Sequence, residues 1–525
     1  MIEDLLRLGA GPPLEADICI IGAGPAGITI ARSFLQKRVR VCLVESGGLD
    51  YEDATQQLYR GENVGFPQDG MTVGRLRFLG GTSNHWGGRC TRLDAADFTA
   101  RAWVPDSGWP IDRSELDPYY LRARDLCGLG PRLSRAAILA SIGVDQPELR
   151  PGLLREKLWQ YAPYPWSFGV VYRDELRRAG NLLLLLHANV TGIAATAEAN
   201  EIVSVTVSAL GGASRIVKAK EFVLCCGAIE NARLLLATAD GGPSALGNRH
   251  DLVGRFYMDH LRVRSGALFT AERLPRIEDT FGYFACKGVK YQIGVALGAR
   301  AQQQRALLNG CAAFEYEGDP ADGTAEAQAI WRALQRGAWP EDMGEKVWLV
   351  LRDLDAVAAN LERRLVRGRH PLMPLKSAAI VADLEQAPNP GSRVTLANAR
   401  NALYQREPRL DWQFTELEQR TAEQFTLIIG LEFMRLGLGR CRLAAGIAPG
   451  SGRFAPSEAF HPSGTTRMAD DPRRGVVDRH CRVFGVANLC VAGSSVFPTI
   501  GHANPTLTIV ALALRLADQL GQALA

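Results

Sequence analysis

The sequence of 525 residues lacks several features that would place it in a special class of protein. It contains no apolar run of the roughly 18 residues that a membrane-spanning helix needs. It contains no Cys-x-x-Cys pair, and its 11 cysteines are scattered, which speaks against a zinc site, an iron–sulfur cluster or a disulfide framework. The net charge of only +4 is too small to indicate a nucleic-acid or anionic-membrane partner.

The amino terminus lacks the cationic start and the cleavage site of a secretory signal peptide. Many cysteines lie inside apolar runs, as Cys19 and Cys42 do, which is typical of small buried side chains in a reducing compartment. We therefore expect a cytoplasmic protein without a membrane span, a bound metal or a nucleic-acid partner.

What the sequence does contain is the composition of a soluble globular protein, with 47% hydrophobic and 22% charged residues. The length allows either several small domains or two large interleaved ones. Glycine is in excess, at 54 residues, where the average of about 7% would give fewer. In a well-mixed chain such an excess indicates many tight turns, some of them wrapped around a ligand.

The first strong pattern is a strand, turn, helix and strand near the amino terminus. An apolar run at 18–21 ends in the glycine-rich turn 22–27, apolar residues then recur at helical spacing over 28–35, and a second strand at 39–44 ends at Glu45. This order of elements predicts the βαβ unit of a dinucleotide-binding fold. The pattern alone leaves FAD and NAD open.

Each residue type in this unit has a physical reason. Gly22 permits the tight turn, Gly24 lets the backbone approach a pyrophosphate, and Gly27 lets the helix pack against the strand. The helix amino terminus offers free N–H groups and a partial positive charge to phosphates. Glu45 lies where an acidic side chain can bind ribose hydroxyls.

The densest glycine cluster is the segment 80–88, Gly-Gly-Thr-Ser-Asn-His-Trp-Gly-Gly. Small residues on both sides of a His-Trp pair indicate backbone wrapped against a flat ligand, with Gly81, Thr82, Asn84 and His85 as contacts. A tight surface loop around a packed tryptophan is the alternative. 

A further strand-to-helix turn has its glycine at Gly227. The adjacent Cys225 and Cys226 precede it at the end of an apolar strand. Neighbouring side chains on a strand point to opposite faces, so we interpret the pair as core packing rather than as a redox pair.

Two carboxy-terminal stretches carry the remaining chemistry: 460–468, Phe-His-Pro-Ser-Gly-Thr-Thr-Arg-Met, and 493–508, which begins Gly-Ser-Ser and ends Asn-Pro-Thr-Leu-Thr. The second follows a strand at 488–492 and leads into a helix over 506–520. Asn504 suits the helix N-cap and Pro505 its first turn.

Together these segments resemble the glucose–methanol–choline (GMC) oxidoreductase family. The resemblance covers residues 17–48, 74–118, 220–260 and 455–520, and within the family it is nearest to the pyranose-oxidase and sugar-dehydrogenase branch. The stretch 251–260, Asp-Leu-Val-Gly-Arg-Phe-Tyr-Met-Asp-His, is also similar to this family. Residues 265–455 match it only vaguely.

The resemblance implies an α/β plus α+β fold of the GMC and p-hydroxybenzoate-hydroxylase type. A discontinuous Rossmann-like FAD domain would be built from 1–100, 185–264 and 455–525. An antiparallel-sheet domain that binds the substrate would be built from 101–184 and 265–454.

The resemblance also implies roles for matching residues. His461 matches the histidine that takes the alcohol proton, and an imidazole is a suitable base near neutral pH. Asn504 matches the position that holds the substrate oxygen during hydride transfer to flavin N5, although His502 is an alternative for that role. Gly493 and Ser494 match backbone contacts to the ribityl chain and phosphate.

Two positions depart from the family pattern or leave a choice. Many family members have an acid where this chain has Ala492. In pyranose oxidases the histidine of a Thr-His-Trp sequence bonds covalently to the flavin, and His85 occupies the matching place with Asn84 instead of threonine. The FAD is therefore either covalently attached through His85 or packed against it without a bond.

The implied cofactor is FAD, contacted also by Pro505 and Thr506 at the start of the last helix, whose amino terminus stabilises negative charge on the reduced flavin. The implied reaction is oxidation of an alcohol, such as a sugar, a glycoside or another secondary alcohol, to a carbonyl. The electron acceptor would be O2, a quinone or a redox protein. Two alternatives remain: a non-redox lyase that keeps FAD, and the catalytic subunit of a multi-component electron-transfer dehydrogenase.

Overall fold

A computed structural model describes residues 1–141, 143, 147–269, 274–318, 323–335, 337, 339–340, 342–365, 375–448 and 450–524. The strands of these residues are β1 (Ile2–Asp4), β2 (Leu14–Glu15), β3 (Ile18–Ile21), β4 (Val41–Val44), β5 (Glu62–Asn63), β6 (Arg89–Cys90), β7 (Leu154–Tyr161), β8 (Leu182–Leu186), β9 (Asn189–Ala195), β10 (Ile202–Ser208), β11 (Ser214–Lys218), β12 (Glu221–Leu224), β13 (Leu261–Phe269), β14 (Tyr283–Cys286), β15 (Val289–Leu297), β16 (Gly310–Gly318), β17 (Leu375–Leu384), β18 (Arg393–Arg400), β19 (Arg406–Asp411), β20 (Arg440–Leu443), β21 (Ser457–Glu458) and β22 (Leu489–Val491).

The α-helices of the same residues are α1 (Leu5–Leu8), α2 (Pro25–Ser33), α3 (Asp53–Gln56), α4 (Ala95–Phe98), α5 (Arg113–Leu126), α6 (Arg135–Ala140), α7 (Phe168–Val171), α8 (Arg173–Arg178), α9 (Ala228–Ala237), α10 (Leu274–Phe281), α11 (Ala299–Arg305), α12 (Gly323–Gln335), α13 (Met343–Arg352), α14 (Leu354–Leu365), α15 (Glu416–Arg435) and α16 (Thr506–Ala523). Short 3₁₀ turns lie at Gln57–Tyr59, Gly81–Asn84 and Ser494–Val496.

Six strands form a fully parallel sheet in the order β1-β8-β4-β3-β12-β22. The strands β3, β4 and β22 are apolar and buried at every position, as a sheet covered on both faces requires. Helix α16 packs against α2 and α5 and buries most of its apolar residues. Because all strands run the same way, their carboxyl ends meet at one edge, where ligands bind in such sheets.

A second, antiparallel sheet has nine strands. Its main path is β20-β13-β17-β16-β15-β7-β6, with β14 paired to β15 and β21 paired to β13. Two smaller sheets complete the topology, with the orders β2-β11-β10-β9 and β18-β19-β5. A continuous hydrophobic cluster runs through both large sheets, with Ile20 of β3 and Ile293 of β15 among its members.

The combination of a parallel α/β sheet with a large antiparallel sheet is the fold class expected from the sequence. The proposed boundaries between an FAD domain and a substrate domain stay a prediction. Among the residues described above, no helix is long and apolar enough to cross a membrane. All 11 cysteines carry free thiols.

Candidate active site

A cavity of about 1080 Å³ lies at the carboxyl edge of the parallel sheet and extends along the antiparallel sheet. Most of the residues singled out in the sequence lie in its wall: Gly22, Gly24, Glu45, Gly81, Thr82, His85, Gly227, His461, Gly493, Ser494, Asn504, Pro505 and Thr506. Segments far apart in the chain therefore meet around one space, because four strand ends converge there. Gly27 and Asn84 lie outside this wall.

The turn between β3 and α2 has the tight geometry that its glycines suggest. Gly22 has φ of 104°, and a Cβ there would lie 2.7 Å from the carbonyl oxygen of Cys225. A Cβ on Gly27 would collide with the carbonyl oxygen of Gly22. A Cβ on Gly24 would meet nothing within 4 Å, so open space lies in front of this backbone where α2 begins.

Glu45 is held in place by the backbone that surrounds it. Its side-chain oxygens accept hydrogen bonds from the N–H groups of Ala23, at 2.9 Å, and Gly47, at 3.0 Å. The residue is 5% exposed and lines the cavity. Because each carboxylate oxygen has a second lone pair, Glu45 can still accept from a ligand hydroxyl.

A buried ionic cluster beside this carboxylate was not predicted from the sequence. Glu230 on α9 accepts a hydrogen bond from Arg233 at 2.8 Å and lies 3.8 Å from Arg75 and 3.7 Å from Arg77. Burial opposes ionisation of Glu230, but the three arginines hold its pKa below the usual range. Three guanidinium groups against one carboxylate leave a positive surplus in the cavity wall, which suits a phosphate ligand.

The loop 80–88 packs against residues 167–169 on one side and lines the cavity on the other. Gly80 has φ of 95°, and a Cβ there would lie 2.6 Å from the backbone nitrogen of Gly169. Asn84 donates to the carbonyls of Leu79 and Gly81 and accepts from Ser167. Asn84 thus braces the loop, while His85 is exposed into the cavity.

The two adjacent cysteines differ in their surroundings. Cys225 is buried, whereas Cys226 is half-buried and donates its S–H to the carbonyl of Ile21 at 3.1 Å. Both line the cavity. Burial raises the pKa of Cys226 to about 12, so its thiol stays neutral and is a poor nucleophile.

His461 lies where loops from the two large sheets meet. Its Nε2 is 3.4 Å from Nδ2 of Asn504, and its Nδ1 is 3.0 Å from Nδ1 of His260. Its backbone N–H donates to both carboxylate oxygens of Asp259 at 3.0 Å. Burial, with a smaller contribution from His260, holds the pKa of His461 well below its usual value. The imidazole is therefore neutral at neutral pH and can accept a proton.

The expectation that Asn504 caps the last helix was wrong. Pro505 occupies the N-cap of α16. Within the part of the chain that the structure describes, no side chain forms a capping hydrogen bond at the amino terminus of this helix. The Asn504 amide reaches His461 instead. Ser494 donates its hydroxyl to the carbonyl of Pro462 at 2.6 Å, so this side chain holds the His461 loop.

His502 does not join His461. Its Nε2 lies 3.0 Å from Asp94, a carboxylate that also contacts Arg155 and, at 3.3 Å, Lys157. Burial and the charge of Lys157 lower the pKa of His502 to about 4. His502 is outside the cavity wall, so the geometry favours Asn504 over His502 as the neighbour of a reacting group.

The antiparallel sheet lines the cavity with polar side chains. Arg89 and Arg262 bind Asp383 from two sides, with N–O distances of 2.7 and 2.8 Å. Tyr161 donates its hydroxyl to Gln292 at 2.7 Å. Burial disfavours the charge on Asp383, but the two arginines hold its pKa well below the usual range. This end of the cavity offers donors and acceptors for a polar substrate.

The carboxy-terminal part of the chain matches a family model. Residues 388–513, which contain His461 and Asn504, match the model described as GMC oxidoreductase. Over these residues the chain is a GMC oxidoreductase domain. It is accordingly an FAD-dependent oxidoreductase that acts on CH–OH donors, and the resemblance stated from the sequence is confirmed at the level of the family.

Similar proteins span nearly the whole length of the chain. A 2-methyl-1,2-propanediol dehydrogenase of Mycolicibacterium austroafricanum is 23% identical over 97% of this chain and 95% of its own. The fructose dehydrogenase large subunit of Gluconobacter japonicus is 23% identical over 96% of this chain and 97% of its own. A crystal structure of a formate oxidase has a TM-score of 0.57 at 18% identity and covers 98% of this chain and 100% of that one, which confirms the fold.

The cavity fits FAD on three observations. The glycine turn leaves open space at the start of α2, the Glu45 carboxylate is fixed where it can accept from a hydroxyl, and the arginines around Glu230 leave a positive surplus. Residues that sequence reasoning missed are these arginines, Asp259 and His260. Asp259 and His260 lie in the stretch 251–260 that carried the resemblance. The family pattern therefore included both residues, but it assigned neither of them a function. No group of three or more metal-ligating side chains occurs among the described residues.

Proposed function

We propose that the chain oxidises a sugar, a glycoside or another secondary alcohol to a carbonyl, with His461 as the general base and Asn504 as the group that holds the substrate oxygen. The observation that carries this proposal is the distance of 3.4 Å between His461 Nε2 and Asn504 Nδ2 in the wall of the cavity. A base and a hydrogen-bond donor placed side by side can share one alcohol oxygen.

The cofactor and the protein residues would have different roles in the oxidation. The FAD, when bound, supplies the oxidising group that accepts the hydride from the alcohol carbon. His461 is held neutral by burial and takes the hydroxyl proton at Nε2. Asn504 donates to the same oxygen and stabilises it as negative charge develops. Gly22, Gly24, Glu45 and the arginines around Glu230 would hold the nucleotide part of the cofactor.

The polar face of the antiparallel sheet supports a polyhydroxylated substrate. Arg89, Arg262, Asp383 and Gln292 all line the cavity. Planar guanidinium and amide groups can bind adjacent hydroxyls with several hydrogen bonds. A purely apolar alcohol would leave the remaining donors of this face, such as Nε and Nη2 of Arg89, without partners, which costs binding energy. The name of one relative, a fructose dehydrogenase subunit, agrees with a sugar-like substrate.

The test is the visible absorbance of the purified protein under nitrogen, before and after adding sugars, glycosides and simple alcohols. We expect a polyol or sugar to bleach the flavin band and a short monohydric alcohol to bleach it more slowly. Readmitted air or an added quinone then separates the acceptors by how fast the colour returns. A flavin that no member of a broad panel bleaches would contradict the proposal and favour the lyase alternative.

One relative is named as the large subunit of a fructose dehydrogenase. This name supports the second alternative, in which the chain is the catalytic subunit of a multi-component electron-transfer dehydrogenase. A chain of this kind would pass electrons to a partner protein. Rapid bleaching by substrate with slow return of colour in air, and fast return with a quinone or a redox protein, would support that alternative.

A further inference from the structure

We propose that His260 is a positioning residue that holds His461 in the tautomer whose Nε2 is free to take the alcohol proton, an inference that rests on the proposed function. His260 contacts the base and not the cavity, since His461 lines the cavity wall and His260 does not.

The first bond fixes the tautomer of His260. Its Nε2 lies 3.1 Å from the carbonyl oxygen of Gly501. A carbonyl oxygen only accepts, so Nε2 of His260 must carry the hydrogen. In a neutral imidazole the other nitrogen is then an acceptor. Burial lowers the pKa of His260, which agrees with the neutral form.

The second bond, between the two histidines, fixes the tautomer of His461. The two Nδ1 atoms are 3.0 Å apart, and the rings meet edge to face at 88°. Because Nδ1 of His260 accepts, Nδ1 of His461 must donate, and Nε2 of His461 keeps its lone pair. Asn504 supports the same assignment, since its Nδ2 donor faces this Nε2 at 3.4 Å.

Close packing and hydrogen bonds to neighbouring residues hold the members of this hydrogen-bonded chain in place. Gly501 has φ of 53°, and a Cβ there would collide with the Asp97 carboxylate. His260 is 2% exposed. Asp259 accepts the backbone N–H of His461. Gly501 and Asn504 belong to one loop, so this loop contacts both ends of the histidine pair.

The proton balance is simple. The O–H bond of the alcohol breaks, an N–H bond forms at Nε2 of His461, and one positive charge appears on the pair. The Gly501 carbonyl cannot take a proton, so the charge stays on the two imidazoles. The other charges that act on His461 are Asp383, which favours its protonation, and Arg262 and Arg89, which oppose it.

The experiment compares His260→Phe, which removes the acceptor, with His260→Gln, whose amide can accept from His461 and donate to Gly501. A positioned base contributes about 10²–10⁴-fold. We expect His260→Phe to slow anaerobic flavin bleaching by about 10²-fold and His260→Gln to restore it to within about 10-fold. The exposed His480→Phe serves as the matched control and should keep the wild-type rate.

A double-mutant cycle distinguishes positioning from general damage. In the His461→Gln background, His260→Phe should cost nothing further, because the group that it positions is gone. If His461→Gln keeps the wild-type rate, the proposed function fails. If His461→Gln is slow but His260→Phe is not, or if the two losses multiply, only the role of His260 is overturned.

A direct measurement covers the case in which His260→Phe does not fold. The chain has 8 histidines, so ¹⁵N spectra of ring-labelled wild-type protein can be assigned by comparison with His461→Gln. We expect His461 with a hydrogen on Nδ1 and none on Nε2. The opposite tautomer for His461 would refute the proposal whatever the variants do.

Discussion

The loop 501–504 takes part in two histidine clusters, and the histidines differ in the charge of their side-chain partners. The imidazole of His461 contacts neutral groups, His260 and Asn504, and faces the cavity. His502 contacts Asp94 inside a group of charged side chains and lies outside the cavity wall. Burial lowers the pKa of both histidines.

The comparison teaches that a low pKa alone does not mark a catalytic histidine. A base needs a ring nitrogen with a free lone pair that faces the substrate space. In a structural histidine, a hydrogen bond or an ion pair with a neighbouring side chain occupies that nitrogen. We therefore expect changes in the His461 cluster to affect the rate of oxidation, and changes in the Asp94 cluster to affect stability.

The largest expected effect is that of His461→Gln. Loss of the base should slow anaerobic flavin bleaching by about 10²–10⁴-fold. Flavin content and melting temperature should stay near wild type, since glutamine can keep polar contacts. Stopped-flow absorbance measures the rate, with His480→Gln as the surface control. A rate within a few-fold of wild type would show that His461 is not the base.

Asp94→Asn should give the opposite signature. The change leaves the buried Lys157, and partly exposed Arg155, without their carboxylate. Breaking a fully buried pair costs about 3–5 kcal/mol, and partial exposure reduces this, so we expect about 2–3 kcal/mol of lost stability. Denaturant unfolding measures the loss, with Asp50→Asn as control. If Asp94→Asn has normal stability but a much slower reaction, the Asp94 cluster serves the reaction rather than the stability of the fold, and the comparison is wrong.

Asn504→Ala should have an intermediate effect on the rate. Removing a hydrogen bond to a charged oxygen costs about 1.5–3 kcal/mol, so flavin bleaching should slow by about 10–100-fold. His502→Gln should slow it less, because His502 does not face the cavity. Both variants are compared at saturating substrate. If His502→Gln is the slower of the two, the assignment of the second position must change.

The pH dependence of kcat/KM should separate the base from an ordinary histidine. Protonated His461 cannot accept a proton, so activity falls as pH falls through its pKa. Burial holds that pKa well below the ordinary value of about 6.5. We expect kcat/KM to stay level down to below that pH and to fall only in more acidic buffer. An acid limb above pH 6.5 would mean that another group controls the rate.

The smallest expected effect concerns His85, which is exposed into the cavity. We propose packing against the cofactor without a covalent bond, because Asn84 replaces the threonine of the pyranose-oxidase sequence and is engaged by Leu79 and Gly81. Acid precipitation should leave the flavin in the supernatant for wild type and for His85→Ala alike. A yellow wild-type pellet that turns colourless in His85→Ala would establish the bond.

Local patterns predicted the geometry of the turn between β3 and α2 well. The roles of Gly22 and Gly27 follow from a strand, a turn and a helix that are adjacent in sequence, and the collisions of their added Cβ atoms agree with those roles. Glu45 lies at the end of β4, and its position follows from the parallel register of β3 and β4. Short-range geometry is sufficient for such predictions.

The predicted helix cap at Asn504 failed because a distant partner outcompeted a local one. Asn504 has the sequence context of an N-cap, but its amide lies beside His461, 43 residues away in the chain. Asn84 donates to carbonyl groups of its own loop and accepts from Ser167, and its contact with the cofactor stays a prediction. A side chain with several donors and acceptors takes the partner that the packed fold brings closest.

The sequence by itself determined the resemblance to the GMC family, the glycine-rich turn after β3 and the identity of the base candidate, because these depend on residue types at short spacing. Only the tertiary structure decided that His260, Gly501, His461 and Asn504 form one hydrogen-bonded circuit and that His502 does not belong to it. The physical reason is that these bonds join loops at the ends of strands in two different sheets. Their contacts depend on how the sheets pack, and no local pattern encodes that packing.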